Sequence, residues 1–357
     1  MEEQEDYQDY TFKIILWLIL FLVFGIIIIA CKPVSKDYIM TVNGPVNLSQ
    51  TGVALTHEHI LVDFISADST GYFRWNKDSV LKKALPFVKE AREKGVKTFF
   101  DCSPAFLGRD PVILKRLSEE TGVRFITNTG YYGFNNIHLP SDFNNLSSGQ
   151  LAEIWIDEFK NGIDGTGIKP GFIKIAVDPA DSLPPKDVKL ITAAALTHLS
   201  TGLTIASHTG PEKPALEQIE ILKKKGVDPS AFIWVHAQQA PVEMNIEAAK
   251  AGTWISLDNV RNRPGIKAND PFTIEWYANR IADLKNRGLL NKVLISHDSG
   301  WYDPAKPNGG SFNGFTDIFE YLLPVLKEKG FTQEDIDLIL VKNPQEAFKV
   351  KIRPYTI

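Results

Sequence analysis

Cysteine is scarce in this sequence: its 357 residues include only Cys31 and Cys102, which excludes a scaffold held together by several disulfides. A charge excess is also missing. The 39 Lys and Arg stand against 43 Asp and Glu, and this balance excludes a nucleic-acid binder that works by bulk positive charge. Only one apolar run approaches membrane-spanning length, so a polytopic membrane protein is excluded. The remaining composition, with 44% hydrophobic and 23% charged residues, is that of a globular protein of one large domain or two.

The long apolar run covers Ile14–Ala30, 17 uncharged residues that end directly before Cys31. This length is at the short limit for a membrane-spanning helix, which needs about 20 residues. Lys13 precedes the run and a small residue closes it, as in a secretory signal. The segment Ile28-Ile29-Ala30-Cys31 resembles a bacterial lipobox, in which Cys31 carries the lipid and becomes the first mature residue.

We therefore predict three segments: a signal peptide or lipoprotein leader over 1–30, a tether over 31–40 and a folded domain over 41–357. The protein is expected to be exported and anchored to the membrane through lipidated Cys31, on the periplasmic or cell-surface side. An uncleaved N-terminal signal anchor is the alternative, and the acidic segment Met1–Tyr10 leaves open a mis-assigned start codon. The leader carries five acids and one base, so the mature body is neutral and implies no charged partner.

From Thr41 onward, short apolar runs rich in β-formers alternate with helix-like segments. The predicted strands are Val53–Thr56, Lys97–Cys102, Arg124–Thr129, Phe172–Val177, Leu203–Ser207, Phe232–His236, Trp254–Leu257 and Val293–Ser296. The predicted helices include Lys77–Lys94, Pro111–Thr121, Leu151–Ile163, Lys186–Thr201, Ala215–Lys225, Pro241–Ala251 and Phe272–Arg287. This alternation is typical of a parallel sheet covered by helices, and eight units fit a (β/α)8 barrel, the TIM barrel. A doubly wound sheet is the competing fold, but no Gly-rich fingerprint follows the first strand. The segment Thr41–Asn47 is expected to plug or flank the bottom of the barrel.

Polar side chains occur where the predicted strands end, which in a (β/α)8 barrel is the face that carries the chemistry. Alternate residues of a strand point the same way, so His57 and His59 offer two imidazoles to one transition metal while Glu58 points elsewhere. Further candidate ligands recur in other strands: Lys174, His208, His236 and Asp298. Their recurrence at one register in separate strands predicts a metal site on this face.

Two of these candidates require a choice between roles. His297 and Asp298 are adjacent, so only one faces the centre, and Asp298 is preferred because a carboxylate both binds metals and accepts protons. Lys174 is costly inside an apolar strand unless its charge is removed or used. It is either a snorkelling or ion-paired lysine, or a neutral amine that takes up CO2 to form a carbamate bridging two metals. His138 and His198 are expected to be structural.

A series of short motifs carries a resemblance to a known family. They are Thr41-Val42-Asn43-Gly44-Pro45, Leu55-Thr56-His57-Glu58-His59, Gly108-Arg109-Asp110, Thr129-Gly130-Tyr131-Tyr132, Ile173-Lys174-Ile175-Ala176, Ser207-His208-Thr209-Gly210, Trp234-Val235-His236, Ser296-His297-Asp298 and Asn343-Pro344. With these motifs in this order, the stretch from Thr41 to Phe348 resembles the phosphotriesterase family of the amidohydrolase superfamily. Tyr132 matches the lactonase-like branch of that family.

The resemblance implies a binuclear metal centre with two divalent ions, Zn first and Mn, Co or Fe as alternatives. The ligands it implies, the more buried metal first, are His57, His59 and Asp298, then His208 and His236, with carboxylated Lys174 bridging both. It also implies the reaction: a hydroxide shared by the metals attacks the carbonyl of a lactone or ester. Asp298 accepts the proton, and no covalent enzyme intermediate forms.

The expected substrate is therefore a small-molecule ester or lactone, bound by the loops after the strands. The residues expected on the pocket wall are Tyr132, Arg261, Trp301 and Tyr302. Tyr132 either hydrogen-bonds a substrate oxygen or is simple wall, and Arg261 with Arg263 either holds a carboxylate or is solvated loop charge.

Other activities stay open. Asn259 and Asn262 stand where phosphotriesterases proper carry histidines, and the same loop also differs from the Asp-Arg-Tyr-Gly of the usual homoserine-lactone hydrolases, so it matches neither group. An organophosphate triesterase or phosphodiesterase is the alternative enzyme. A surface lipoprotein that binds a ligand without catalysis is the alternative outside enzymes. Asp101 and Arg109 are expected to pair and hold a loop. The sequence makes no prediction of an oligomeric state.

Overall fold

The structure is a computed structural model that describes residues 37–267 and 270–356. The predicted leader, with the apolar run Ile14–Ala30 and the lipidation site Cys31, lies outside the described residues, so its role stays a prediction. Within the described ranges, no helix is both long enough and apolar enough to cross a membrane.

The first two strands form a hairpin, and the remaining strands form a barrel. In chain order they are β1 (Tyr38–Thr41), β2 (Gly44–Asn47), β3 (Val53–Leu61), β4 (Val96–Asp101), β5 (Arg124–Ile126), β6 (Asn128–Thr129), β7 (Phe172–Ala176), β8 (Ile205–His208), β9 (Phe232–Val235), β10 (Trp254–Leu257), β11 (Val293–Ile295) and β12 (Gly300–Tyr302). β1 and β2 are antiparallel. The others pair in parallel in the orders β11-β10-β9-β8-β7-β6 and β12-β3-β4-β5. Chain continuity from β5 to β6 and from β11 to β12 joins these sheets into a (β/α)8 barrel, which confirms the predicted fold.

Helices alternate with the strands and cover the outside of the barrel. They are α1 (Lys77–Glu93), α2 (Pro111–Thr121), α3 (Ser148–Asn161), α4 (Pro185–Thr201), α5 (Glu212–Lys224), α6 (Val242–Lys250), α7 (Ile274–Asn286), α8 (Leu323–Glu328), α9 (Gln333–Asp337) and α10 (Asn343–Phe348). Wider turns at Ile318–Leu322 and Leu338–Lys342 lead into α8 and α10. Local capping starts several of these helices: the Asp110 side chain accepts the first free N–H groups of α2, for example.

In strand β7, alternate side chains belong to two different apolar clusters, one between the strands and the outer helices and one inside the barrel. Ile173 and Ile175 are fully buried in the cluster shared with the outer helices, whereas Phe172 belongs to the cluster that fills the barrel interior. Lys174 has the same parity as Phe172, so it points inward as well. The strand therefore delivers one lysine to the inside of the barrel.

Apolar side chains close the bottom of the barrel. The rings of Phe100, Phe172 and Phe348 pack with centroid separations of 3.9, 5.4 and 6.0 Å. Ile39 of the hairpin joins the same buried cluster, so the hairpin plugs the barrel as expected. The hairpin already begins at Tyr38, and residues 38–40, which the sequence interpretation places in the tether, are strand residues of β1.

Two local expectations are wrong. Asp101 and Arg109 do not pair: Asp101 Oδ2 accepts from the backbone N–H of Ile60 at 2.8 Å, whereas Arg109 Nη2 donates to Glu158 Oε1 at 2.6 Å. Asp101 therefore bonds to the neighbouring strand β3, whereas Arg109, in the segment between β4 and α2, bonds to the outer helix α3. The single strand expected over 124–129 is interrupted at Thr127, between β5 and β6.

The buried histidine His198 on α4 is structural, as expected. Its Nδ1 donates to the Leu203 carbonyl oxygen at 2.8 Å, and its Nε2 accepts from the Arg353 backbone N–H at 2.9 Å. These two partners require the neutral imidazole, because a protonated ring would direct a second N–H at a donor. Burial lowers the pKa of His198 from 6.5 to about 4.

Acid should therefore destabilise the fold through His198. The unfolded chain takes up this proton near pH 6.5 and the folded chain only near pH 4, so stability is lost as the pH falls through this window. Between pH 7 and pH 5, His198→Gln, which does not titrate, should lose about 2 kcal/mol less unfolding free energy than the wild type. Urea unfolding at both pH values measures the difference, and an equal loss in the two proteins contradicts the assignment.

Candidate metal centre

The six predicted ligand residues meet at the C-terminal ends of the strands, around a cavity of about 60 Å³. The residues that line it are His57, His59, Lys174, His208, His236 and Asp298, together with Val62, Phe64, Leu107, Tyr132 and Trp301. They come from both halves of the chain, so the closure of the barrel, and not local sequence, brings them together.

His57, His59 and Asp298 form what we call the first donor group. Ser103 Oγ donates its hydrogen to a backbone carbonyl at 2.6 Å, so it accepts the Nδ1–H of His59 at 2.9 Å and leaves the Nε2 lone pair free. His57 Nδ1 contacts Asp258 at 2.9 Å, which leaves its Nε2 lone pair free as well. The two Nε2 atoms face each other at 3.3 Å, and Asp298 Oδ1 lies 3.2 Å from His59 Nε2. Lone pairs that converge in this way repel one another unless a cation lies among them, so the group fits a metal ion.

His208 and His236 form the second donor group. His236 Nδ1 contacts Asp258 at 2.5 Å, which leaves its Nε2 free, and this Nε2 lies 2.9 Å from His208 Nδ1. The Tyr132 hydroxyl is 3.2 Å from the same His208 nitrogen. Burial lowers the pKa of His208, and the neighbouring His236 lowers it further. His208 is therefore neutral, which is the form that binds metals.

Asp258, directly after β10, accepts a hydrogen bond from one histidine of each donor group. Its Oδ2 accepts from His57 Nδ1 at 2.9 Å and its Oδ1 accepts from His236 Nδ1 at 2.5 Å. Although burial acts to raise it, the two histidines hold the pKa of Asp258 well below its usual range. Burial likewise acts to lower the pKa of His236, but the Asp258 charge outweighs it and raises that pKa. One carboxylate thus orients an imidazole in each group, in the manner of residues that support metal ligands.

Lys174 is the unusual member of the cavity. It is only 1% exposed, and its Nζ has no hydrogen-bond partner among the described residues. An ammonium at this place would leave three buried N–H donors unpaired. Burial lowers the pKa of the Lys174 amine and so favours its neutral form. An orphaned amine beside two sets of free lone pairs fits a site built for cations and an added anionic group.

Glu58 points away from the cavity, as the parity of β3 predicts. Its Oε1 accepts from His297 Nδ1 at 2.8 Å, and its Oε2 accepts from the Ser299 backbone N–H at 2.9 Å. His297 is fully buried, and its Nε2 accepts from the Ile318 backbone N–H at 3.1 Å. Glu58 therefore ties β3 to the segment that carries Asp298, and His297 is a packing residue beside it.

Two glycines allow the backbone to pass close to the ligand strands. At Gly130, where φ is +114°, a Cβ would lie 2.2 Å from the Lys174 carbonyl oxygen. At Gly300, where φ is +99°, a Cβ would lie 1.8 Å from the His59 carbonyl oxygen. Neither distance leaves room for a side chain, so glycine is required where these segments cross the strands of Lys174 and His59.

Comparison with known proteins agrees with this geometry, since residues 37–348 match the sequence profile of the phosphotriesterase family. The chain belongs to the phosphotriesterase family. A phosphotriesterase homology protein of Escherichia coli K12 is 29% identical over 303 residues, which cover 84% of this chain and 98% of that protein. An aryldialkylphosphatase of Saccharolobus solfataricus is 33% identical over 307 residues, which cover 83% of this chain and 95% of that protein. The solved structure of an organophosphorus hydrolase from Deinococcus radiodurans has a TM-score of 0.76 at 26% identity and covers 87% of this chain and 96% of that chain.

As a phosphotriesterase-family protein, the chain is a metal-dependent hydrolase built on a TIM barrel. The ligand atoms of His57, His59 and Asp298 all lie within 4.8 Å of one another, as a shared metal requires. Family membership confirms the resemblance that the motifs carry, and the assignment to the lactonase-like branch stays a prediction.

Two of the four expected wall residues line the cavity of this phosphotriesterase-family protein. Tyr132 does so, and Trp301 stands edge-on against His59 with ring centroids 5.9 Å apart. Tyr302 is the next residue of β12, so it faces the other side and is buried there. Arg261 donates through Nη2 to the carbonyl oxygen of Asp298 and is not among the lining residues.

Asp258 is the functional residue that reasoning from the sequence missed. Its signal is present, because it directly follows the predicted strand Trp254–Leu257, as the other candidates follow theirs. A carboxylate that acts through the Nδ1 atoms of two distant histidines has no spacing pattern of its own.

Replacing Asp258 should weaken metal binding. Asp258→Asn offers one acceptor oxygen for two Nδ1–H donors and turns its amide towards one of them, so we expect zinc affinity to fall by about 10- to 100-fold. Competition with a chromogenic chelator measures the affinity.

Asp63→Asn is the matched control, because Asp63 is a fully buried carboxylate that pairs with Arg74 instead of a candidate ligand. It should keep the zinc affinity of the wild type. Unchanged affinity in Asp258→Asn would show that the carboxylate does not orient the histidines.

Proposed function

We propose that this protein hydrolyses lactones or related small carboxylic esters, with two divalent metal ions. The observation that carries the proposal is the meeting of both donor groups and an orphaned lysine amine in one buried cavity. Bound at these groups, the ions supply a Lewis acid and bring the pKa of a coordinated water to about 7. Zinc is the expected ion, with manganese, cobalt or iron as alternatives, because imidazole and carboxylate donors accept all of them.

The Lys174 amine is the candidate for a covalent change. Its Nζ is buried without a partner, and its pKa is lowered by burial. The neutral amine adds to the carbon of CO2, so that an N–C bond forms and one proton leaves Nζ for solvent. The product is an anionic carbamate, whose two oxygens would add ligands to those of the two donor groups. This change turns an unpaired donor into an acceptor that balances the charge of two cations.

Asp298 is the proton acceptor in this proposal. Its Oδ1 lies 3.2 Å from His59 Nε2, among the donor atoms of the first group, so a cation bound there would keep the carboxylate ionised at neutral pH. Its side chain is part of the cavity wall, within reach of a water that gives up a proton there. Among the described lining residues there is no serine or cysteine, which agrees with direct attack by water.

Tyr132 is the wall residue that supports an acyl substrate. The cavity of about 60 Å³ lies among the candidate metal ligands, and apolar side chains such as Val62 and Leu107 border it. The Tyr132 hydroxyl, 3.2 Å from His208 Nδ1, is placed to donate to a substrate oxygen.

Phosphotriester hydrolysis is the second candidate. The relative from Saccharolobus solfataricus is named an aryldialkylphosphatase, and the similar solved structure is an organophosphorus hydrolase. Phe64 at the edge of the cavity is 49% exposed, so the arms of a larger substrate would extend past it.

Metal content and Lys174 test the proposed function together. The purified protein should carry about two transition-metal ions per chain, and a chelator should abolish hydrolysis. Lys174→Met should bind less metal and lose at least about 100-fold in kcat/KM, because the bridging anion would be missing. Elemental analysis by mass spectrometry and steady-state kinetics give the two readouts.

Lys97→Met is the matched control, because it replaces an exposed lysine of β4 and should behave as the wild type. A wild-type protein without metal, or a fully active Lys174→Met, contradicts the proposal. A panel of lactones, aryl esters and phosphotriesters then identifies the substrate, and we expect the highest kcat/KM with lactones. A preference for phosphotriesters would select the second candidate, and tight ligand binding without turnover would indicate a binding protein.

A further inference from the structure

Asp298 has a left-handed backbone conformation. Its φ is +52°, in a region that residues other than glycine adopt infrequently, although aspartate and asparagine do so more readily than most. This turn after β11 aims the carboxylate at the first donor group, with Oδ1 3.2 Å from His59 Nε2. A strained conformation of this kind persists only where neighbouring groups hold it.

The peptide unit that follows Asp298 is held at both ends. The Ser299 N–H donates to Glu58 Oε2 at 2.9 Å, and the Asp298 carbonyl oxygen accepts from Arg261 Nη2. A guanidinium donor makes the second bond charge-assisted and therefore stronger than a bond between neutral groups. Among the described residues, Arg261 is the hydrogen-bond donor to this carbonyl. Rotation of the peptide unit would break both bonds.

Arg261 is itself fixed on either side. The Val260 N–H donates to the Ser296 carbonyl oxygen at 3.2 Å, and the Asn262 N–H donates to Asp317 Oδ2 at 2.8 Å. The Arg261 Nε is buried without a hydrogen-bond partner in the described part of the chain, and the side chain is not among the residues that line the cavity. The hydrogen bond that the guanidinium makes to the described residues is therefore the one from Nη2 to the backbone of Asp298.

We propose that Arg261 is a positioning residue that locks the left-handed turn at Asp298 and so keeps the carboxylate in the first donor group. The Asp298 N–H donates to the His57 carbonyl oxygen at 3.0 Å and the His59 N–H donates to the Ser299 carbonyl oxygen at 2.9 Å, so the flanking groups keep their partners when Arg261 is replaced. Without the guanidinium, the Asp298 carbonyl would lose its partner, the turn would fluctuate more, and the carboxylate would be held less firmly beside His59. The inference rests on the proposed function only for the use of that carboxylate in metal binding and proton acceptance.

Arg261→Ala tests this role with two readouts other than activity. Zinc affinity, measured by chelator competition, should fall by about 10- to 100-fold, as for other residues that support a ligand. Hydrogen exchange of the full-length protein, both as purified and after metal removal, should become faster in the segment 296–301. Arg261→Lys should show a smaller effect, and added guanidinium at a non-denaturing concentration should restore part of the zinc affinity of Arg261→Ala.

Arg263→Ala is the matched control. Its guanidinium also donates to backbone carbonyls, those of Phe272 and Asn259, but does not contact Asp298. Both readouts should stay at wild-type values in this variant.

Unchanged exchange over 296–301 together with unchanged zinc affinity in Arg261→Ala overturns the proposal. A raised KM with unchanged kcat and unchanged exchange would make Arg261 a substrate contact, which overturns it too. If Arg261→Ala does not fold, Arg261→Gln carries the test, because its shorter, neutral side chain loses the charge-assisted bond, and wild-type exchange and zinc affinity in that variant refute the role. A wild-type protein that binds no zinc would refute the proposed function, while the exchange comparison would still decide the role of Arg261.

Discussion

The shared carboxylate of Asp258 is the interaction on which the site depends. By accepting the Nδ1–H of His57 and of His236, it fixes the tautomer of one imidazole in each donor group and leaves the Nε2 lone pairs facing the cavity. β10, which delivers Asp258, lies between β9 and β11 in the barrel. The end of this one short strand therefore reaches both groups, and the strand order of the barrel makes the coupling possible.

The same segment also holds the strained parts of the site. His236 and Asp298 both have positive φ, at 60° and 52°. The His236 backbone N–H donates to Asp258 Oδ2 at 3.2 Å, and the Asp298 carbonyl accepts from Arg261. Two side chains that follow β10 thus restrain the backbone of two candidate ligands, one in each donor group. Strain held in this way is typical of functional sites, because it fixes side chains before any ligand arrives.

The barrel and the candidate ligands could be predicted because they depend on regular geometry. Side chains alternate along a strand, and parallel strands bring their C-terminal ends to one face, so the parity of His57, His59 and Lys174 already places them together. The supporting contacts could not be predicted in the same way. Asp258 acts across several strands through atoms that leave no spacing pattern. Arg261 lies in a loop whose path depends on its packing against the segment that carries Asp298. Its position in the sequence therefore predicted a residue of the pocket wall, whereas the structure places its guanidinium against the Asp298 backbone.

The central claim is that both donor groups and Lys174 form one binuclear centre, and a crystal structure of the metal-loaded protein with anomalous diffraction data tests it most directly. We expect two anomalous peaks, one in the first donor group and one in the second, with electron density for a carbamate on Lys174 Nζ lying between them. A single peak, or an unmodified Lys174 with its amine hydrogen-bonded to the protein, would contradict the claim.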